Sequence, residues 1–309
     1  MSGAHAYERR LAGPTSIVGK IRAQASGVIC ALTVFPVLGV VNGVQMASLL
    51  LRPFSRRAFR AVNRGCAGAW WGWCADVVRV FYGTRAVVSG DPLPHQESAL
   101  LVANHQEMTD ISFLFFLARS KGRLGDLKWF VKDVIKYVPG IGWGMLFLDC
   151  IFLKRDWASD RASIQRTFAG ITGHGVPLWL VSFSEGTRIT PEKAARSRAY
   201  AADAGIRATE NVMIPRTKGF VGSVIGLRDH IDAIYDVTLG YPDGLCTIWQ
   251  HMCGIGRIAH IHVRRHAIAD LPETEAALTE WLLERFRVKD DLLTAFQQDR
   301  AFPSATGDT

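Results

Sequence analysis

Residues 23–51 carry no charged side chain, and from Val28 onward the run is dominated by Val, Leu, Ile, Ala and Met. Nothing else in the chain restricts its fold so tightly. As a helix, the 24 residues from Val28 to Leu51 would be roughly 36 Å long, against about 30 Å for the hydrocarbon core of a bilayer. A cleaved secretory signal has an apolar stretch of only about 7–15 residues before a small-residue cleavage site. This run is longer and passes straight into Arg52. It reads as a retained membrane anchor. Pro36, with Gly27, Gly39 and Gly43, leaves two geometries open: a kinked spanning helix or a re-entrant hairpin in one leaflet. Arg52, Arg56, Arg57, Arg60 and Arg64 follow the run, whereas Arg9, Arg10, Lys20 and Arg22, opposed by Glu8, precede it. The positive-inside rule therefore puts the C-terminal bulk in the cytoplasm.

The rest of the 309 residues has the composition of a folded protein, since 49% apolar and 21% charged residues exclude disorder and fibrous repeats. A net charge of +8 points to an anionic partner such as a phosphate or an acidic membrane face. Six cysteines without a C-x-x-C pair read as buried thiols in a reducing compartment. Trp70, Trp71 and Trp73 in residues 66–82 suit either a helix at headgroup level or packing against the domain. Apolar runs of strand length then follow at 85–89, 99–103, 127–131, 147–153, 178–183, 211–214, 235–239 and 258–263. Stretches of helical period separate them, for example Ile164, Phe168 and Ile171. The expected fold is α/β: a mixed, largely parallel sheet flanked by helices, behind an N-terminal membrane-anchoring helical segment. Residues 1–83 form the anchor and interfacial helix, 84–302 the α/β domain and 303–309 a disordered tail. One or two surface helices are expected over 273–298.

Four short blocks carry the chemistry. The first reads A-N-H-Q-E-M-T-D over 103–110, directly after an apolar run. Residues five apart on a helix sit about 140° off one another's face. His105 and Asp110 therefore meet only if the histidine ends a strand or opens a loop and the aspartate lies in the first turn of the next helix. A carboxylate on one ring nitrogen fixes the tautomer and stabilises the imidazolium, so the other nitrogen can take a proton from an alcohol. No serine or cysteine stands in the block as nucleophile, which favours direct attack by a bound hydroxyl. The second block is F-L-K-R-D at 152–156, the third F-S-E-G-T-R at 183–188 and the fourth I-P-R-T-K-G-F at 214–220. Each is a cationic turn at the expected end of a strand, where α/β sheets bind ligands. Glycine admits close backbone approach, and arginine offers a planar fork to phosphate. Taken singly, each block is equally a solvated turn.

In this order and with these gaps, the blocks resemble the four motifs of the PlsC-type glycerolipid (lysophospholipid) acyltransferase family, over roughly residues 22–293. The resemblance implies His105 as catalytic base and Asp110 as its orienting partner. It implies a substrate site shaped by Asn104, Phe152, Arg155, Glu185, Gly186, Thr187 and Arg188, with Pro215 and Lys218 from the fourth motif. Two positions depart from the commonest pattern: Asp149 stands where glycine is usual and Ser184 where proline is usual.

The expected function is transfer of a fatty acyl group from acyl-CoA or acyl carrier protein to the sn-2 hydroxyl of 1-acyl-sn-glycerol-3-phosphate, giving phosphatidate at a membrane. No metal or redox cofactor and no nucleic-acid partner is expected. His260 and His262 alternate on a strand as solvent-facing residues, without a carboxylate or cysteine at ligand spacing. The nearest rival keeps the chemistry and changes the acceptor to lysophosphatidylglycerol, lysocardiolipin or lysophosphatidylinositol. A membrane-tethered hydrolase lacks its usual G-x-S-x-G elbow here. A non-enzymatic membrane scaffold leaves the four ordered blocks unexplained.

Overall fold

The apolar run forms one uninterrupted helix in the computed structural model, which describes residues 5–154 and 156–303 apart from the side chains of 157–159. Helix α1 (Ile17–Ser48) starts at Ser16, whose hydroxyl accepts from the Gly19 amide at 3.1 Å, and continues through Pro36 without a break. A 3-10 turn extends it to Leu51, which makes it long and apolar enough to cross a membrane. No re-entrant hairpin forms. Its polarity is inverted relative to a soluble helix: Asn42, Gln45 and Ser48 are buried, while Leu32, Phe35 and Val40 are exposed. The polar groups bond to one another and to the next helix, with Asn42 Nδ2 donating to Gln45 Oε1 at 3.4 Å and Asn63 Nδ2 to Ser48 Oγ at 2.9 Å. Polar residues turned to the protein and apolar ones turned outward suit association with a membrane.

Helix α2 (Arg56–Tyr82) returns alongside α1, capped by Ser55 and closed by Gly83 in the left-handed region at φ +67°. Helical spacing turns its tryptophans to different neighbours. Trp71 is buried, stacked on Phe115 with centroids 5.6 Å apart and edge-on to Trp129 at 6.5 Å. Trp73 is exposed, and its indole donates to the Thr33 carbonyl of α1 at 3.0 Å.

The chain then runs β1 (Arg85–Gly90), β2 (Ala99–Ala103), α3 (Thr109–Ser120), β3 (Leu127–Lys132), α4 (Ile141–Phe147), β4 (Ile151–Leu153), α5 (Trp157–Thr172) and β5 (Trp179–Phe183). It continues with α6 (Pro191–Asp203), α7 (Thr217–Leu227), β6 (Ala233–Gly240), α8 (Ile248–Met252), β7 (Ile258–Ala267) and α9 (Glu275–Asp299). The strands form one sheet in the order β1-β7-β6-β2-β5-β3-β4, parallel throughout except for the β6–β7 pair. This is the mixed, largely parallel sheet that the alternating runs predict.

Every residue of β2 is buried, as a central strand covered on both faces requires. Leu101 packs with Trp71, Phe113, Leu114 and Leu117 on one face. Leu100 and Val102 pack on the other with Phe168, Phe220, Leu282 and Phe286. Burying each large side chain contributes roughly 2 kcal/mol, so α2 and α3 clamp one face while α5, α7 and α9 clamp the other.

Several sequence expectations need correction. Residues 211–214 are not a strand. Their neighbourhood's amides go to side chains, Glu210 N and Asn211 N to Asp290 and Ile214 N to Ser197 Oγ, so no ladder forms. The run 147–153 is the end of α4 followed by the short β4. The C-terminal region, expected to hold one or two helices, is a single helix, α9. His260 and His262 do not face solvent: His260 sits edge-on to Phe296 of α9, and buried His262 lies against Phe302 and bonds Ser89 Oγ at 3.1 Å. All six cysteines are free, five of them buried. Residues 304–309, read as tail, lie outside the described residues.

Candidate active site

Because β2, β5, β3 and β4 are parallel neighbours, their C-terminal ends open on one edge of the sheet, where the first three blocks emerge. His105 follows β2 directly, and Asp110 lies in the first turn of α3. Between them the chain folds around the carboxylate. Asp110 Oδ2 accepts from His105 Nδ1 at 2.8 Å, from the Gln106 amide at 2.7 Å and from the Glu107 amide at 3.0 Å. Its Oδ1 accepts from the Tyr241 hydroxyl. Burial and the adjoining Asp110 charge hold that phenol well above its ordinary pKa, so it remains a donor. The carboxylate is fully buried, whereas the imidazole keeps 12% of its surface exposed. Asp110 thus holds a proton on Nδ1 and leaves Nε2 as the basic atom. The ring lies flat on Phe183, with centroids 4.0 Å apart.

The third block is bonded to the first. The His105 amide donates to Glu185 Oε1 at 3.0 Å, and the Ile189 amide donates to the His105 carbonyl at 3.0 Å. Gly186 turns the chain at φ +74°, a region that favours glycine, and lies against Arg216, whose Cδ would meet a Cβ there at 3.0 Å. The Arg216 amide donates to the Ser184 carbonyl at 2.7 Å, which brings the fourth block alongside. Pro215 is buried beneath it, and Lys218 is exposed in the first turn of α7. Thr187 is half-buried and accepts from Lys193 Nζ at 2.8 Å.

Two expected ligand residues point inward. Asn104 is fully buried, with both amide atoms on the Leu239 backbone at 3.1 and 2.8 Å, so it fixes the loop to the end of β6. Glu185 is buried behind the His105 backbone. Phe152 is half-buried on β4, and Arg155 lies outside the described residues. The left-handed backbone at Asp149, φ +56°, explains why glycine is the usual residue there. Arg60 Nε lies 3.0 Å from its carboxylate.

Three contributors were not legible in the sequence. Glu107 is buried and bridges two half-exposed arginines, Arg188 of the third block and Arg10 of the N-terminal segment, the latter at 2.6 Å. Burial opposes its ionisation, but Arg10, the Met108 amide and Arg188 outweigh it and hold the carboxyl below its usual range. Arg10 reaches the site because residues 9–11 pair with Leu245, through Leu245 N to Arg9 O at 2.7 Å and Leu11 N to Leu245 O at 2.8 Å. Tyr241 is the third. Sequence separations of 97 and 131 residues hide these contacts from any local pattern.

The Acyltransferase family model matches residues 85–241, and the model of the acyltransferase C-terminus matches residues 252–308. A Brassica napus protein named 1-acyl-sn-glycerol-3-phosphate acyltransferase 2 is 34% identical over 290 residues, covering 91% of this chain and 74% of that one. The chain belongs to the PlsC-type glycerolipid acyltransferase family. The lysocardiolipin acyltransferase 1 of Danio rerio is 31% identical to this acyltransferase, over 87% of its length and 71% of the relative's. The crystal structure of the 1-acyl-sn-glycerophosphate acyltransferase PlsC from Thermotoga maritima shares its fold, with a TM-score of 0.57 at 16% identity over 90% of this chain and 97% of that one.

One consequence for the acyltransferase follows from Glu185. Burial pushes its carboxyl up to about 8, although the His105 and Met213 amides donate to it. The folded chain therefore keeps a proton that the unfolded chain releases near 4.5. This contribution to stability is complete below that value and is lost as pH rises through about 8. Glu185→Gln keeps an acceptor for the His105 amide and cannot ionise. Its melting temperature should fall less than the parent's between those two pH values, as thermal scans across the range would show. Parallel curves would mean that Glu185 is already ionised in the folded state.

Proposed function

We propose that this acyltransferase moves a fatty acyl chain from a thioester, acyl-CoA or acyl carrier protein, to the sn-2 hydroxyl of 1-acyl-sn-glycerol-3-phosphate. The observation that carries the reading is the imidazole of His105, held by a fully buried carboxylate and open on its other side at the sheet edge. His105 Nε2 takes the hydroxyl proton as the oxygen attacks the thioester carbonyl, and Asp110 stabilises the resulting imidazolium. The C–S bond breaks, and the departing thiolate takes the proton from the imidazolium to leave as the free thiol. Arg188 and Arg10, with one positive charge in excess of Glu107, attract the acceptor's phosphate and hold its hydroxyl near the base. The chemistry needs only the two substrates, so we assign no metal or redox cofactor.

We place the work at a membrane surface, with α1 in the bilayer and the α/β domain on the cytoplasmic side. The support is the inverted polarity of α1 and the arginines that follow it. A second reading, remodelling of lysocardiolipin or a related lysophospholipid, is favoured by the Danio rerio relative. Washed membranes given radiolabelled acyl donor and a panel of lysolipids distinguish the two. Labelled phosphatidate as the dominant product is expected. Label in another phospholipid would shift the acceptor, and labelled free fatty acid would replace transfer with hydrolysis.

A further inference from the structure

The segment between β3 and β4 has the wrong surface for water. Lys132 leads into a 3-10 turn, Asp133–Tyr137, and then into α4. Val134, Tyr137, Trp143 and Leu146 are 61, 71, 45 and 53% exposed, and of residues 133–147 only Gly142 is buried. Four large apolar groups on so short a stretch form a patch of the kind that marks an interaction surface.

What covers it follows from where α4 sits. Its N-cap Gly140 and its Gly144 face α1: a Cβ on Gly140 would lie 2.9 Å from Leu38 Cδ2, and one on Gly144 would lie 3.4 Å from Gln45 Oε1. Helix α4 therefore lies against the second half of α1, where Val40, Val44 and Met46 are themselves exposed. The two apolar surfaces share one depth. The cradle is also rigid. Gly142 leaves no room for a side chain above the Ile135 carbonyl, buried Lys128 donates to the Leu148 carbonyl at 2.8 Å, and Arg60 holds Asp149. The rim carries one positive charge in excess: Lys132 is exposed, and Lys136 lies 5.1 Å over the Tyr137 ring while pairing with Asp133 at 2.8 Å. Aromatic and basic side chains around an apolar centre match the boundary between headgroups and acyl chains.

We propose that the 3-10 turn and α4 form a second membrane-inserted element, with Trp143 and Leu146 among the acyl chains of an anionic leaflet and Lys132 and Lys136 at its phosphates. The proposal rests on the reading that α1 lies in the bilayer. It has a functional corollary: α4 leads directly into β4, so the second block is held at headgroup depth, where a lysolipid presents its phosphate.

The test uses the full-length chain in vesicles of phosphatidylcholine and phosphatidate whose acyl chains are brominated. Cys74→Ala removes the one half-exposed thiol, and an environment-sensitive fluorophore is attached at Leu146→Cys, with Val134→Cys as an independent second site. Phe35→Cys on the exposed face of α1 reports on the anchor, and Glu192→Cys on α6 reports on water. Retained acyl transfer shows that each labelled chain is folded. The Leu146→Cys and Val134→Cys labels should lose most of their emission to bromine, as the Phe35→Cys label does, while the Glu192→Cys label loses none. If only the Phe35→Cys label is quenched, α4 stays out of the lipid and the proposal is wrong. A blue-shifted but unquenched Leu146→Cys label would mean that a second copy or another protein covers the patch, which also overturns it. Quenching at α4 without quenching at Phe35→Cys would keep the insertion and reject the anchor reading.

Discussion

Replacing His105 with alanine is expected to lower acyl transfer by about 10³-fold or more, while the chain stays folded and membrane-bound. The size follows from what is removed: the group in the site positioned to take a proton from a hydroxyl with Asp110 behind it. The fold should survive because the loop is held by other bonds. The His105 amide and carbonyl keep their partners on Glu185 and Ile189, and Asp110 keeps Gln106, Glu107 and Tyr241. What is lost structurally is the stacking on Phe183 at one edge of the core, about 1 kcal/mol. Asp110→Asn tests the other half of the pair. It retains a similar shape but cannot stabilise the imidazolium, so it should also lose most of the rate, together with stability, because four donors converge on that carboxylate. Initial rates with lysophosphatidate in washed membranes, beside thermal melts, separate chemistry from folding. Near-parental turnover by His105→Ala would sink the base assignment.

Arg188→Ala should fall mainly on the acceptor. Losing one charge-assisted contact to a phosphate costs about 2 kcal/mol, or roughly 30-fold in kcat/KM for the lysolipid. Arg188 is half-exposed, so solvent screening makes this an upper value. The donor's KM should hardly move. The substitution is tolerable for the fold because Glu107 keeps Arg10 and the Met108 amide. Arg10 leaves a remnant of the field, so Arg10→Ala combined with Arg188→Ala should be worse than either alone. Separate titrations of donor and acceptor decide the point. A collapse in donor affinity with the acceptor unaffected would move the phosphate site elsewhere.

Much of this was readable in the residues, for physical reasons. A parallel strand buried on both faces is an unbroken apolar run, so 99–103 and 178–183 announce themselves. A histidine and an aspartate five apart fit one arrangement, strand end to first helical turn, and that arrangement is present. Residues 211–214 look like a strand because Val212 and Met213 must be buried, but burial alone does not supply a partner ladder. Sheet order depends on contacts far apart in the chain, as does the ion-paired Glu107. Asn104 misled in another way: a polar residue beside a catalytic histidine suggests a ligand contact, and only the position of Leu239 shows that its amide is already committed.

The second helix has two neighbours to satisfy. One side lies along α1, and the other gives Ala67, Trp71 and Ala75 to the main core. A fragment beginning at Gly83 would uncover Phe115 and Trp129, which meet the Trp71 ring, and would present a greasy socket to water. A chain clipped there is therefore expected to be unstable on its own. Whatever lifts or tilts α1 and α2 must carry the His105 edge of the sheet with it, so the two helices and the site move as a single lever.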